Sequence, residues 1–149
     1  MSGLEIAADM ARDRRDAAVQ VLAQARQKWL AAQVQLDQLE SYAQECTARW
    51  ATRSLSCTPE LMRHHYQFME RLDHAIALQT GIVRELGQGV ERAAVPVREA
   101  EARLESLRQL VQARERELQL QADRRAQKQT DEQAALQHRR HGERSEEWR

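Results

Sequence analysis

Apolar residues recur at every seventh position through the second half of the chain. This first set is Met62, Met69, Ile76, Val83, Val90, Val97, Leu104, Val111 and Leu118. A companion set follows each member by three residues: His65, Leu72, Gln79, Leu86, Ala93, Ala100 and Leu107. The alternation of three and four is a heptad repeat, with the first set at position a and the second at d. It predicts a long helix that buries a narrow seam against another helix.

The first half of the chain carries a heptad repeat of its own. One set is Leu4, Ala11, Ala18, Ala25, Ala32, Leu39 and Cys46. The companion set is Ala8, Arg15, Leu22, Trp29, Leu36, Ala43 and Trp50, in which only Arg15 is charged. Alanine dominates the seam near the N-terminus, where each small side chain buries little apolar area. The first half therefore predicts a second helix, with a thinner seam at its N-terminal end.

The seven-residue phase is lost between the two repeats, at residues 51–58. Thr58 suits the N-cap of a helix, where its hydroxyl accepts an otherwise unpaired backbone N–H. Pro59 suits the first helical position, and Glu60 faces the positive end of the helix dipole. Because the connection is short and polar, the sequence predicts two antiparallel helices folded back on each other.

Together these patterns predict a single domain, an all-α, long two-helix antiparallel coiled-coil hairpin whose second helix is the longer. The first helix is expected at about 3–53 and the turn at about 54–58. The second helix is expected at about 59–140, followed by a polar tail at about 141–149. Glycines and Pro96 weaken the segment 87–96, but the heptad phase crosses it intact. We expect a kinked but continuous helix there, with a break as the alternative.

The two predicted helices differ in length, which leaves part of the second one unpaired. If the turn is centred near residue 56, pairing residue numbers add to about 112, so residues beyond about 111 have no partner within the chain. The heptad also fades there, because Arg114, Gln121 and Arg125 occupy seam positions. This polar extension is either a fraying tail or a segment that binds another protein.

Composition narrows the classes of partner and compartment. The chain has 23 basic and 23 acidic residues, so it offers no bulk charge for nucleic acid, and no nucleic-acid partner is expected. No segment approaches the roughly 18 apolar residues of a membrane span, so we expect no direct membrane insertion. The N-terminus shows no secretory signal, which predicts a cytoplasmic protein with Cys46 and Cys57 reduced.

Candidate chemistry is sparse. His64 and His65 are adjacent and point about 100° apart on a helix, so they do not converge on one metal ion. His138 and His141 share a face but lack a further cysteine or histidine ligand. No glycine-rich phosphate loop is present, and a two-helix hairpin has no pocket for a catalytic set. We expect no cofactor, no metal, no catalytic residues and no enzymatic activity.

Five of the six aromatic residues lie between positions 29 and 68, and folding at the turn gathers them into one half of the hairpin. Trp29 and Trp50 lie on the seam and are predicted to be core. Tyr42 and Phe68 lie one position off the seam, at heptad position g. They either broaden a thin core or form an exposed aromatic patch for a partner protein.

Three stretches of sequence carry information beyond the heptad repeat. They are Gln35-Leu-Asp-Gln-Leu-Glu-Ser-Tyr-Ala-Gln-Glu-Cys46, Tyr66-Gln-Phe-Met-Glu-Arg-Leu-Asp-His-Ala-Ile76 and Gln127-Lys-Gln-Thr-Asp-Glu-Gln-Ala134. In this order and spacing, the chain resembles the FliJ family of the flagellar type III export apparatus over nearly its whole length. The resemblance implies a non-enzymatic protein similar to the central stalk of rotary ATP synthases.

The resemblance also implies partners. Members of the family are thought to sit in the pore of the hexameric export ATPase, FliI, and to promote its assembly and activity. They also bind the export-gate protein, FlhA, and recycle export chaperones. The implied location is the cytoplasm, with peripheral association at the cytoplasmic face of the inner membrane.

The family's gate-contacting residues fall near the turn. By motif position they are Gln35, Leu39, Tyr42, Cys46, Phe68, Leu72, Ala75 and Gln79. Two of these depart from the family pattern: Cys46 stands where an aromatic residue is common, and Gln79 stands where a histidine or another polar residue occurs. In the predicted register, both halves of this set lie at the same level of the hairpin and can form one patch.

Two alternatives stay open at the level of sequence. One is the equivalent stalk protein of a virulence-type injectisome, which would share the same shape. The other is a structural coiled-coil scaffold that dimerises through the same seams. The helix-start signal at Thr58-Pro59 argues against a long parallel rod, as does the extension that falls out of register.

Overall fold

The computed structural model describes residues 3–147 and places helices on both sides of a single turn. Helix α1 spans Gly3–Arg53, a short 3₁₀ turn spans Ser54–Ser56, and helix α2 spans Pro59–Glu147. Helix α2 is the longer, with 89 residues against 51. The predicted fold class, an all-α hairpin with a longer second helix, is confirmed.

The turn contains the helix-start residues that the sequence predicts. Cys57 is extended, with φ −94° and ψ 145°, so it ends the 3₁₀ turn and redirects the chain. The backbone N–H of Leu61 donates to the hydroxyl oxygen of Thr58 at 3.4 Å, and the N–H of Met62 donates to the Thr58 carbonyl at 3.1 Å. Thr58 is therefore the N-cap of α2, and Pro59 takes the first helical position, where no N–H is needed.

The chain divides into two compact units. One is Met10–Arg103, and the other comprises the described parts of Met1–Asp9 and Leu104–Arg149. In the first unit, the buried residues are Ala11, Leu22, Ala32, Leu36, Leu72 and Val97. All six occupy seam positions of the two heptads, as expected for helices that bury only a narrow stripe. The core of this unit is therefore the predicted seam.

The second unit contains a long stretch of helix without a packing partner in the described chain. Ala8 and Leu104 are buried here, and Leu104 is only 2% exposed. Among the α2 side chains described, which end at residue 146, Val111 is the last half-buried one, and every side chain from 112 to 146 is exposed. The predicted limit of pairing near residue 111 matches this change in burial.

The C-terminal helix boundary differs from the prediction. Helix α2 continues to Glu147, beyond the predicted end near 140, so the expected polar tail at 141–149 is helical as far as it is described. Trp148 and Arg149 lie outside the described residues. No seam supports residues 141–147, but three of these seven residues are glutamate, which has a high helix propensity.

Helix α2 also runs without interruption through Pro96, as the unbroken heptad phase indicates. That rules out the break considered for 87–96. The kink and the single domain over 1–149 stay predictions.

Candidate protein-interaction site

An aromatic pair lies across the hairpin, between α1 and α2. The rings of Tyr42 and Phe68 are 6.0 Å apart between centroids and nearly perpendicular, at 89°. This edge-to-face arrangement is a favourable one for aromatic rings. Tyr42 is 44% exposed and Phe68 is 41% exposed, so the pair covers the edge of the seam while keeping much of its surface in solvent. The pair therefore broadens the core and also leaves aromatic surface in solvent.

A polar side chain crosses the seam close to this pair. The amide nitrogen of Gln79 donates to the backbone carbonyl of Ala32 at 2.9 Å and to the side-chain oxygen of Gln35 at 3.2 Å. The predicted register places residue 79 opposite residue 33, and the two partners lie on either side of that position. The polar member of the seam is thus satisfied by the opposite helix, and it holds Gln35 beside α2.

The eight gate-contact candidates differ in exposure. The exposed ones are Gln35, Tyr42 and Phe68. The half-buried ones are Leu39, Cys46, Ala75 and Gln79. Leu72 is buried, with 7% of its surface exposed. Two contacts join the helices within this set, between Tyr42 and Phe68 and between Gln79 and Gln35, whereas Leu72 is a core residue.

A second aromatic cluster lies nearer the turn. The rings of Trp50 and His65 stack in parallel, 4.0 Å between centroids and 6° between planes. Tyr66 meets both rings edge-on, at 6.4 Å from Trp50 and 5.7 Å from His65. The sequence placed both Trp50 and His65 on the seam, but it did not predict that their rings stack. The d position of His65 in the heptad was the signal that it faces the other helix.

Other chemistry finds little support in the described part of the chain. Between residues 3 and 146, no group of three or more histidine, cysteine or acidic residues is placed to hold a metal ion. Cys46 and Cys57 are half-buried and free. Neither described helix contains a stretch long and apolar enough to cross a membrane.

The comparison with known families decides the identity. The family model described as "Flagellar FliJ protein" matches residues 1–143. The chain belongs to the FliJ family. No curated protein and no solved structure gives a significant match to the chain.

Membership in the FliJ family fixes the coarse function. The chain is a component of the flagellar protein export apparatus, which is a non-catalytic role. The family is flagellar, so the match favours the flagellar system over the injectisome alternative. The gate-contact residues stay a prediction at this point.

Proposed function

We propose that this chain is the central stalk of the flagellar export ATPase, a non-enzymatic protein that promotes the assembly and activity of the ATPase hexamer. The observation that carries the proposal is the unpaired extension of α2, in which every side chain from 112 to 146 is exposed. Family membership supplies the machinery in which such an extension works.

The extension has the properties of a helix that binds a partner. Over 112–146 it would span about 50 Å at the usual rise per residue. A single helix in water gains little stability from propensity alone and gains most of it from packing an apolar face. Leu118, Leu120 and Leu136 are each more than half exposed on this segment. A surrounding ring of ATPase subunits would bury these leucines and stabilise the helix.

We further propose that the patch of Gln35, Tyr42, Phe68, Ala75 and Gln79 contacts the export-gate protein. Aromatic side chains that are held rigidly and left half exposed are frequent anchors of protein interfaces. The Tyr42–Phe68 contact and the Gln79–Gln35 hydrogen bond support this proposal, because they hold the exposed side chains in place before any partner binds. Leu39 and Cys46 would contribute their exposed edges, and Leu72 would support the patch from the core.

Two finer roles rest on the family alone. We propose that the chain also recycles export chaperones, and that it associates peripherally with the cytoplasmic face of the inner membrane through the gate. Neither role calls for a membrane-spanning helix. Both would be accomplished by binding and release, since the chain is proposed to have no catalytic residues.

The stalk proposal is tested by the ATPase rate of the cognate export ATPase over a range of concentrations of this protein. A saturable rise in rate supports the proposal. If the rate stays flat under conditions where the ATPase forms hexamers, the stalk role is wrong, and a scaffold role would explain the hairpin better.

A further inference from the structure

One flank of the hairpin in Met10–Arg103 carries five exposed large apolar residues, interspersed with basic ones. We call it the g flank, because it is formed by the heptad g positions of both helices, which meet at the Tyr42–Phe68 contact. Each g position directly precedes an a position, and the a set of α1 is the one that contains Ala43 and Trp50. Large apolar side chains at these positions are each more than 40% exposed: Val21, Tyr42, Leu61, Phe68 and Ile82. A flank of this kind is the side on which a third helix packs in helical bundles.

The opposite flank, formed by the heptad e positions, has fewer exposed apolar residues and charges of both signs. Its e positions include two exposed large apolar residues, Val19 and Tyr66. They are interspersed with charges of both signs, such as Arg26, Glu40 and Asp73. This mixture is typical of a solvated surface. The two sides of the hairpin are therefore not equivalent.

The g flank contains a notch. A concave space of about 300 Å³ is lined by Ala11, Ala18, Pro96 and Ala100. The notch exists because small side chains occupy successive seam positions here and leave the space beside them unfilled. Its volume is at the low end of the range for pockets that take a ligand, which suits a single large apolar side chain.

The charges on the g flank are of one sign. The charged g positions of this unit are Arg14, Lys28, Arg49 and Arg103, all of them basic. Arg14 and Arg103 line the notch, together with Glu99 from the neighbouring c position. Arg49 lies 3.9 Å from Glu45, whereas Arg14, Lys28 and Arg103 have no ion pair within the described residues. Unpaired arginines beside an apolar notch favour a partner with carboxylates, which guanidinium groups bind in a bidentate way.

We propose that the notch end of the g flank, away from the gate patch, binds an amphipathic helix of another protein, one with an apolar stripe bordered by acidic residues. One large apolar side chain of that helix enters the notch at Pro96, and acidic residues one turn away pair with Arg14 and Arg103. A second copy of this chain does not fit, because its g flank is also basic and would repel. The proposal goes beyond the stalk and gate roles, since it assigns a partner to the notch and to Arg14 and Arg103, which neither role uses.

The test uses the full-length chain and a synthetic, fluorescently labelled helix with a leucine stripe bordered by glutamates. A matched peptide has lysine in place of every glutamate. Fluorescence anisotropy should show that the glutamate peptide binds about tenfold more tightly than the lysine peptide, because only the former complements the arginines. Equal affinity for the two peptides, or no binding of either, would overturn the proposal.

Charge-reversal variants test whether the peptide binds at the notch. Arg14→Glu combined with Arg103→Glu should weaken binding of the glutamate peptide about tenfold, since both contacts turn repulsive. The matched control is Arg26→Glu with Arg84→Glu, which makes the same charge change at exposed positions off the flank. The control should leave affinity within about twofold. Equal losses in the two pairs would mean that the peptide responds to net charge and not to this flank.

The notch itself is tested by Ala18→Leu and, separately, by Ala100→Leu. Each larger side chain should fill the notch and weaken peptide binding by about tenfold. Circular dichroism should show the same helix content as in the wild type. If one variant fails to fold, the other decides, and unchanged affinity in a folded variant would contradict insertion into the notch.

Two other partners for the flank, a membrane surface and a second copy of this chain, are tested by separate measurements. Phosphatidylglycerol vesicles that bind the wild type but not Arg14→Glu/Arg103→Glu, with peptide binding unaffected, would assign the flank to a membrane surface. A dimer in sedimentation that dissociates on Ala18→Leu would assign it to a second copy. Either result would overturn the proposal.

Discussion

The side-chain amide of Gln79 donates a hydrogen bond to the backbone carbonyl of Ala32, 2.9 Å away across the seam. Ala32 is buried and Gln79 is half-buried, so this bond is shielded from solvent on the α1 side. A polar residue at a seam position favours one register of a coiled coil, because a shift leaves its polar group unpaired. Gln79 therefore helps to fix how the two helices align at the level of the proposed gate patch.

Replacing Gln79 tests this role. We expect Gln79→Ala to lower the free energy of unfolding by about 1–2 kcal/mol, since two hydrogen bonds across the seam are lost. Gln33→Ala is the matched control, because the Gln33 amide bonds only to Asp37 on its own helix, at 3.1 Å. The control should cost less than about 0.5 kcal/mol. Urea unfolding measures both, and equal costs would show that the bonds across the seam do not set stability.

The glycines of α2 give a second prediction. A Cβ built at Gly81 meets nothing within 4 Å, whereas one at Gly87 lies 3.3 Å from the indole nitrogen of Trp29. Gly81→Ala should stabilise the chain by about 1 kcal/mol through helix propensity. Gly87→Ala should gain less or destabilise, because Trp29 must shift. Thermal unfolding checks the pair, and equal stabilisation by both would mean that Trp29 does not pack against Gly87.

Adjacent histidines near the turn are expected to behave differently. His65 stacks on Trp50 at 4.0 Å, whereas His64 is exposed. His65→Ala should cost about 0.5–1.5 kcal/mol from the lost ring contact alone. His64→Ala should change the free energy of unfolding by less than about 0.5 kcal/mol, as surface substitutions usually do. If both variants unfold at the same urea concentration as wild type, the stack contributes nothing.

Binding to the export gate is tested at the exposed aromatic pair. Tyr42→Ala combined with Phe68→Ala should weaken affinity for the gate protein by at least about tenfold, since rigid aromatic anchors carry much of an interface's energy. Leu30→Ala is the control, because Leu30 is 54% exposed but lies outside the patch. Calorimetry against the purified gate protein separates them, and an unchanged affinity in the double variant would remove the patch assignment.

Leu72 should be left out of that binding test. It is 7% exposed, so Leu72→Ala removes core packing at a cost of about 2–5 kcal/mol and confounds any loss of affinity. The heptad itself places Leu72 at a seam position, whereas the family resemblance assigns it to the gate contact. Burial shows that the seam position governs its side chain.

Much of the fold was predictable because a heptad encodes both the helix and the face that it buries. The seam positions and the Thr58 cap follow from local sequence, and the structure has them in place. Less of the candidate site could be predicted from the sequence. Position g predicts half exposure for Tyr42 and Phe68, but their perpendicular packing depends on side-chain rotamers across two helices. The approach of Trp29 to Gly87 likewise depends on how the alanine-rich seam closes, which periodicity does not encode.

At the end of α2, the helix is longer than the sequence prediction. The heptad fades after residue 111, and the prediction ended the helix near 140, before a polar tail. The helix nevertheless continues to Glu147. Residues of high helix propensity sustain it, together with bonds such as that from Gln127 to Asp131 at 3.1 Å on the same face.

The central claim is that the unpaired part of α2 acts on the export ATPase, and the most direct test is a truncation measured in the ATPase assay. The variant lacks residues 112–149, and its folding is checked by helix content and by wild-type affinity for the gate. We expect the full-length chain to raise the ATPase rate saturably, the truncated chain to lose this effect, and Tyr42→Ala/Phe68→Ala to keep it. A truncated chain that stimulates the ATPase as well as the full-length chain would contradict the account.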